Sequence, residues 1–199
     1  MTKRNWLLLI ITSAIIGSLI GVLIHFGLEF QAEAEDVAQP ATPAIETVEV
    51  IDYSNPKHYT EEDIYLLAQT AYCEGRGVPS KTELACVMWT VLNRVDCNWE
   101  NDFKDLNTIK EVVLQPNQFA YSPDAPLITD HGYDLYALAQ DVLNRWSREK
   151  NGDTNVGRVL PPEFLWYASR GDGHNYFRSI YRGPEVYYWD YSLESPYKS

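Results

Sequence analysis

Apolar positions fall into three regimes along this 199-residue chain. Residues 6–28, WLLLIITSAIIGSLIGVLIHFGL, carry no Asp, Glu, Lys or Arg. Residues 29–58 are rich in Glu, Ala, Pro and Thr and follow neither a helical nor a strand period. From Tyr59 onward apolar residues recur every three or four positions, the mark of helices with one buried face.

The helical part can be read element by element. Thr60 and Asp63 have capping-box spacing, and Ile64, Leu67, Ala68 and Ala71 follow on one face. That helix should stop near Glu74-Gly75, because glycine is favoured just past a helix end. Ser80 and Glu83 form a second box. Leu84, Val87, Met88, Val91, Leu92 and Val95 then predict a helix over 81–95. A polar loop over 96–107 leads to a short helix opened by Thr108 and Glu111 and ended by Pro116. QPNQFAYSPDAP holds three prolines and should be irregular. Asp130 is expected to cap a third long helix carrying Leu135, Leu138, Ala139, Val142 and Trp146, ended at Asn151-Gly152. FLWYAS, NYFR and VYYWDY are short aromatic and β-branched runs, which predict a small antiparallel sheet. Helices followed by a small sheet make an α+β domain over 59–199.

The first regime changes where that domain sits. At ~1.5 Å per residue, residues 6–28 can cross a ~30 Å hydrocarbon core, and Lys3 and Arg4 would keep the N-terminus inside. Residues 1–28 are therefore expected to be an N-terminal transmembrane helix. A cleaved signal peptide is the alternative, with Ala32-Glu33-Ala34 as the cleavage site, but the run exceeds the usual ~7–15 apolar residues. Either reading places the domain outside the cytoplasm, anchored or secreted. Residues 29–58 would be a flexible acidic stalk.

Net charge is -12, with -4 over residues 1–59 and -8 beyond. No basic cluster is present to neutralise phosphates, which argues against nucleic acid. Three cysteines, Cys73, Cys86 and Cys97, permit one disulfide of undetermined pairing in an exported chain. Without a CxxC pair no zinc site is expected, and Cys86 reads as a small buried hydrophobe.

Glu74 is the residue with chemical promise. A carboxyl group that donates a proton at neutral pH needs a raised pKa, which partial burial beside apolar or aromatic groups supplies. The C-terminal end of a helix acts in the same direction. Gly75 and Gly77 would let a bulky polymer approach.

The stretch AYCEGRGVPSKTELACVMWTVLNRV resembles the signature of the SleB-type cell wall hydrolase family, the spore-cortex-lytic enzymes and their relatives. Ala71, Glu74, Arg76, Gly77, Pro79, Val91, Leu92, Asn93 and Arg94 match its pattern. VLQPNQFAY and DGHNYFR resemble its next two blocks, in the same order. The resemblance implies a lysozyme-like fold and an enzyme that cuts the MurNAc–GlcNAc bond of peptidoglycan. It implies a lytic transglycosylase in which Glu74 protonates the glycosidic oxygen and the muramyl 6-hydroxyl attacks, giving a 1,6-anhydro product. No cofactor or metal is implied; the partners are glycan strands and, through the anchor, the membrane. An ordinary hydrolase would need a second acid about 5–10 Å away, for which Asp124, Asp130 and Asp172 are the candidates. An inactive wall-binding module is the third reading. Arg76, Gln118, Phe119, Tyr167, His174 and Tyr176 are the candidate substrate contacts. Trp166, Phe177, Tyr187, Tyr188 and Trp189 are expected mostly in the core. Val78 stands where the family has a second glutamate, and Gly75 where it has alanine.

Overall fold

The computed structural model describes residues 57–187 and 193–198. The anchor, nearly all of the stalk, and Tyr188 and Trp189 lie outside these residues. Among the described residues no helix is long and apolar enough to cross a membrane.

The elements run α1 (Glu61–Gly75), α2 (Lys81–Asp96), α3 (Ile109–Val113), α4 (Leu135–Lys150), β1 (Trp166–Ser169) and β2 (Asn175–Arg178). The domain is α+β. The strands form an antiparallel pair in which Trp166 faces Arg178, Tyr167 faces Phe177, Ala168 faces Tyr176 and Ser169 faces Asn175. Val186 extends this pair by one bridge to Phe177.

Helix α2 is the centre of the described domain. It packs against α1, α3 and α4, and every residue from Thr82 to Arg94 is buried. The apolar stripe read from the sequence is therefore only part of what it hides. A helix buried on all sides must satisfy its polar groups internally. Thr90 donates to the Cys86 carbonyl at 3.0 Å, and the Thr82 hydroxyl meets that of Ser195 at 2.6 Å. The Asn93 amide donates to the carbonyls of Pro161 and Phe164 at 2.8 and 3.0 Å. Cys86 is buried, as expected, and all three cysteines are free thiols. A satellite cluster of Cys97, Phe103, Leu165 and Trp166 roots the start of β1.

Both outer capping boxes form, Thr60 with Asp63 and Thr108 with Glu111. The middle one does not form as expected. Ser80 accepts from the Glu83 N–H at 3.2 Å, but the Glu83 carboxylate turns inward to other partners. The cap of α4 is Asp134, not Asp130. A tight turn over Thr129–Tyr133, with Gly132 at φ 78°, and a bridge from Ile128 to Asp134 occupy the chain first, so the helix starts later. The His58 N–H, just ahead of the expected domain start, donates to Ser147 Oγ at 3.1 Å.

Candidate functional site

Glu74 lies in the last turn of α1, half-buried, at the edge of a cleft of about 220 Å³. One side of the cleft is the α1–α2 turn, from Cys73 to Val78. The other is the hairpin, through Ser169, Gly173, His174 and Asn175. Among the described residues, Glu74 is the one carboxylate lining it. Asp172 points elsewhere, accepting from the Tyr176 hydroxyl at 2.8 Å and the His174 N–H at 3.0 Å.

The two glycines beside Glu74 have different roles. Gly77 has open space where a side chain would be, which suits close approach of a ligand. Gly75 is buried within the helix; a Cβ there would lie 2.5 Å from Leu84 Cδ2. It lets α1 close on α2, so the expectation that it clears space for a polymer is corrected. Val78 is 5% exposed and donates its N–H to the Gly75 carbonyl at 3.0 Å. A glutamate at that position would be driven into the core. The turn is held further by Tyr133, which donates to the Pro79 carbonyl at 2.9 Å, and by His131 Nε2, 3.2 Å from the Gly77 carbonyl.

The Glu74 side chain is positioned by the irregular loop before α4. The Ala120 N–H donates to Glu74 Oε1 at 2.5 Å. That loop takes its shape from Pro116 and from Asn117, whose φ of 61° is tolerated by asparagine better than by most residues. It is anchored by Arg94, which is only 3% exposed. The guanidinium sits between two rings, 4.5 Å from the Phe103 centroid and 4.6 Å from that of Phe119. Its Nε donates to the Leu165 carbonyl at 2.7 Å, and a terminal nitrogen donates to Gln118 Oε1 at 3.1 Å. Burial lowers its pKa to about 10, against the attraction of Tyr167, Glu74 and Asp102, so it remains a cation at neutral pH.

Tyr167 completes this side. Its ring lies 6.1 Å from Phe119 and 5.7 Å from Phe177. Burial first, and the Glu74 carboxylate second, push its phenol well above the ordinary range, so it stays a neutral O–H. The hydroxyl is near enough to Glu74 to feel its charge, yet this buried oxygen makes no hydrogen bond among the described residues. It can donate to Glu74 or to a ligand atom after a small shift.

Of the residues singled out from sequence, Glu74, Arg76 and His174 line the cleft directly. Arg76 is exposed and makes no ion pair among the described residues, which leaves it available to an anionic or carbonyl group. Tyr167 lies behind Glu74. Gln118 and Phe119 are committed to Arg94 and act on Glu74 through the loop. Tyr176 falls on the other strand face, opposite Ala168, and is not brought to Glu74.

Sequence reading missed Glu83, Asn175 and Tyr187. Glu83 is fully buried. It accepts from the Asn175 N–H at 2.6 Å and the Tyr187 hydroxyl at 2.5 Å, and it lies 3.1 Å from His174 Nδ1. The Asn175 amide in turn donates to the Glu74 carbonyl at 3.4 Å. Capping-box spacing concealed Glu83; its place at the head of an otherwise apolar run was the available clue. No cluster of three or more His, Cys, Asp or Glu among the described residues is arranged to hold a metal ion. No family model, no curated protein and no solved structure matches the chain.

Proposed function

We propose that this chain is a peptidoglycan lytic transglycosylase that cuts the MurNAc–GlcNAc bond with Glu74 as its single catalytic carboxyl group. The observation that carries the reading is that one carboxylate alone, among the described residues, lines the cleft beside Arg76, His174 and Asn175. A hydrolase using two carboxylates needs a second acid across the cleft. A transglycosylase does not, because the nucleophile is the substrate's own 6-hydroxyl.

In this mechanism Glu74 protonates the glycosidic oxygen as the bond to the muramyl C1 breaks. The ionised Glu74 then takes the proton of the 6-hydroxyl as that oxygen bonds to C1, which restores the acid. The Ala120 N–H holds one Glu74 oxygen during both transfers, and Tyr167 supplies a neutral donor behind it. Arg76 is placed to bind an acetamido oxygen or a stem-peptide carboxylate. The lysozyme-like fold, the membrane anchor and the wall-facing location belong to the same proposal and rest on the resemblance and on residues 6–28.

The test is a digest of purified peptidoglycan by the full chain and by Glu74→Gln, with the fragments weighed. Anhydro-muropeptides from the parent alone are expected. Products heavier by one water would make the enzyme a hydrolase. Wall binding without turnover would make it a binding module.

A further inference from the structure

The α1–α2 wall of the cleft is held from outside by an element that the mechanism above does not use. Gly77 and Pro79 lie between the two helices, too late for the ladder of α1 and too early for that of α2, so their carbonyls need donors from elsewhere. Both donors are side chains 54 positions away in the chain. His131 Nε2 lies 3.2 Å from the Gly77 oxygen, and the Tyr133 hydroxyl lies 2.9 Å from the Pro79 oxygen. A carbonyl can only accept, so the imidazole nitrogen and the phenol both donate. Donors two positions apart meet acceptors two positions apart, as in a sheet ladder, except that side chains replace one backbone.

These donors are carried by a short finger over residues 127–135. The Leu135 N–H donates to the Leu127 carbonyl at 2.7 Å, and Ile128 pairs with Asp134. At the tip, the Thr129 N–H donates to the Tyr133 carbonyl at 3.0 Å and the Gly132 N–H to the Thr129 carbonyl at 2.9 Å. The Tyr133 N–H donates to Thr129 Oγ1 at 3.1 Å. Thr129 is buried, and Gly132 takes the positive φ that the tip requires. A tip already ordered by its own bonds gives up little entropy when it grips a neighbour.

We infer that the 127–135 finger is a positioning element of the glycan site: by gripping Gly77 and Pro79 it fixes the α1–α2 turn, and Arg76 with it, at the spacing from the hairpin that a bound strand needs. The identity of that ligand rests on the peptidoglycan reading; the grip does not. The opposite wall is fixed separately, through the hold of Glu83 on the Asn175 N–H. Glu74 is also held separately, by the Ala120 N–H. Binding and chemistry thus have different supports. The finger governs the wall that receives the substrate, and the Ala120 loop governs the carboxyl group that reacts.

The experiment compares the full chain with His131→Ala, Tyr133→Phe, the double variant and His131→Gln, whose amide N–H can replace the imidazole donor. Amide exchange over residues 75–80 is followed by mass spectrometry without substrate. On soluble peptidoglycan strands, kcat and KM are measured. Losing one grip should raise KM about threefold and losing both about tenfold, the worth of one and of two ordinary hydrogen bonds. The kcat should stay within about twofold, because Glu74 keeps its Ala120 donor. The Val78 N–H, bonded to the Gly75 carbonyl at 3.0 Å, should exchange about tenfold faster in the double variant. His131→Gln should restore most of both properties. A merely structural role would lower kcat and Tm and leave KM alone, and that result would overturn the inference. So would unchanged exchange, or faster exchange with KM unmoved. A parent that releases no muropeptides would remove the peptidoglycan reading, while exchange over 75–80 still decides whether the finger holds the wall.

Discussion

Replacing Arg94 by methionine separates two jobs that the guanidinium performs. Its removal leaves the buried Leu165 carbonyl without its 2.7 Å donor, at a cost of about 1–3 kcal/mol. The bond to Gln118 contributes about 1 kcal/mol, less in practice because Gln118 is exposed and can turn to water. The two ring contacts add roughly 0.5–1 kcal/mol each, part of which a methionine sulfur recovers. Against this stands the burial of the cation. A pKa lowered to about 10 from 12.5 corresponds to a penalty on the order of 3 kcal/mol, which the variant escapes. The terms nearly cancel, and the expected net loss is about 1 kcal/mol, or roughly 4 °C in Tm for a domain of this size. Activity should fall far more, by tenfold or greater, because the loop that presents the Ala120 N–H to Glu74 loses its anchor. Thermal unfolding followed by circular dichroism, beside the rate of muropeptide release, reads both. A stability loss above about 4 kcal/mol would mean that burial costs the cation far less than its lowered pKa implies, and would refute the near-cancellation. Unchanged turnover would mean that the loop does not depend on Arg94.

Glu74→Gln should keep the Ala120 bond and shift stability by under about 1 kcal/mol, while muropeptide release drops at least 10²-fold. Val78→Glu should destabilise by about 3 kcal/mol in a urea titration, because the site is buried and apolar. Gly75→Ala sets a helix-propensity gain of about 1 kcal/mol against a clash with Leu84 worth about 1–3, so a modest fall in Tm is expected. Alkaline pH should unfold the domain cooperatively. Burial raises the Tyr167 phenol above its unfolded value of about 10, so the stability it contributes is whole below pH 10 and is lost as pH climbs towards its folded value. Absorbance at the phenolate band should then rise in step with unfolding.

The legible parts of this chain were those governed by local rules. Thr60 and Thr108 cap their helices with residues three positions away, and the spacing alone reveals it. The NYFR and WYAS strands announce themselves by composition. Asp130 misled because a turn between Ile128 and Asp134 is fixed by pairing across the loop, which no local pattern displays. Glu83 misled for a similar reason: cap spacing and a long-range tie to Asn175, His174 and Tyr187 use the same residue type. Glu74 and Arg94 both stood out by resemblance, but the way one aims the other did not. Ala120 acts through its backbone, which has no sequence signature, and Arg94 acts through rings that are distant in the chain.

Helix α2 holds the hairpin at both of its ends. Glu83 in its first turn takes the Asn175 N–H, and Arg94 in its last turn takes the Leu165 carbonyl. The two grips lie eleven positions apart, about 16 Å at ~1.5 Å per residue. The helix thus works as a ruler, setting where strand ends fall relative to the cleft. One residue added between the grips would turn the far end by about 100° and break one of them. The invariance to be sought among relatives is consequently one of length between these two positions, and substitutions inside the ruler should be tolerated where insertions are not.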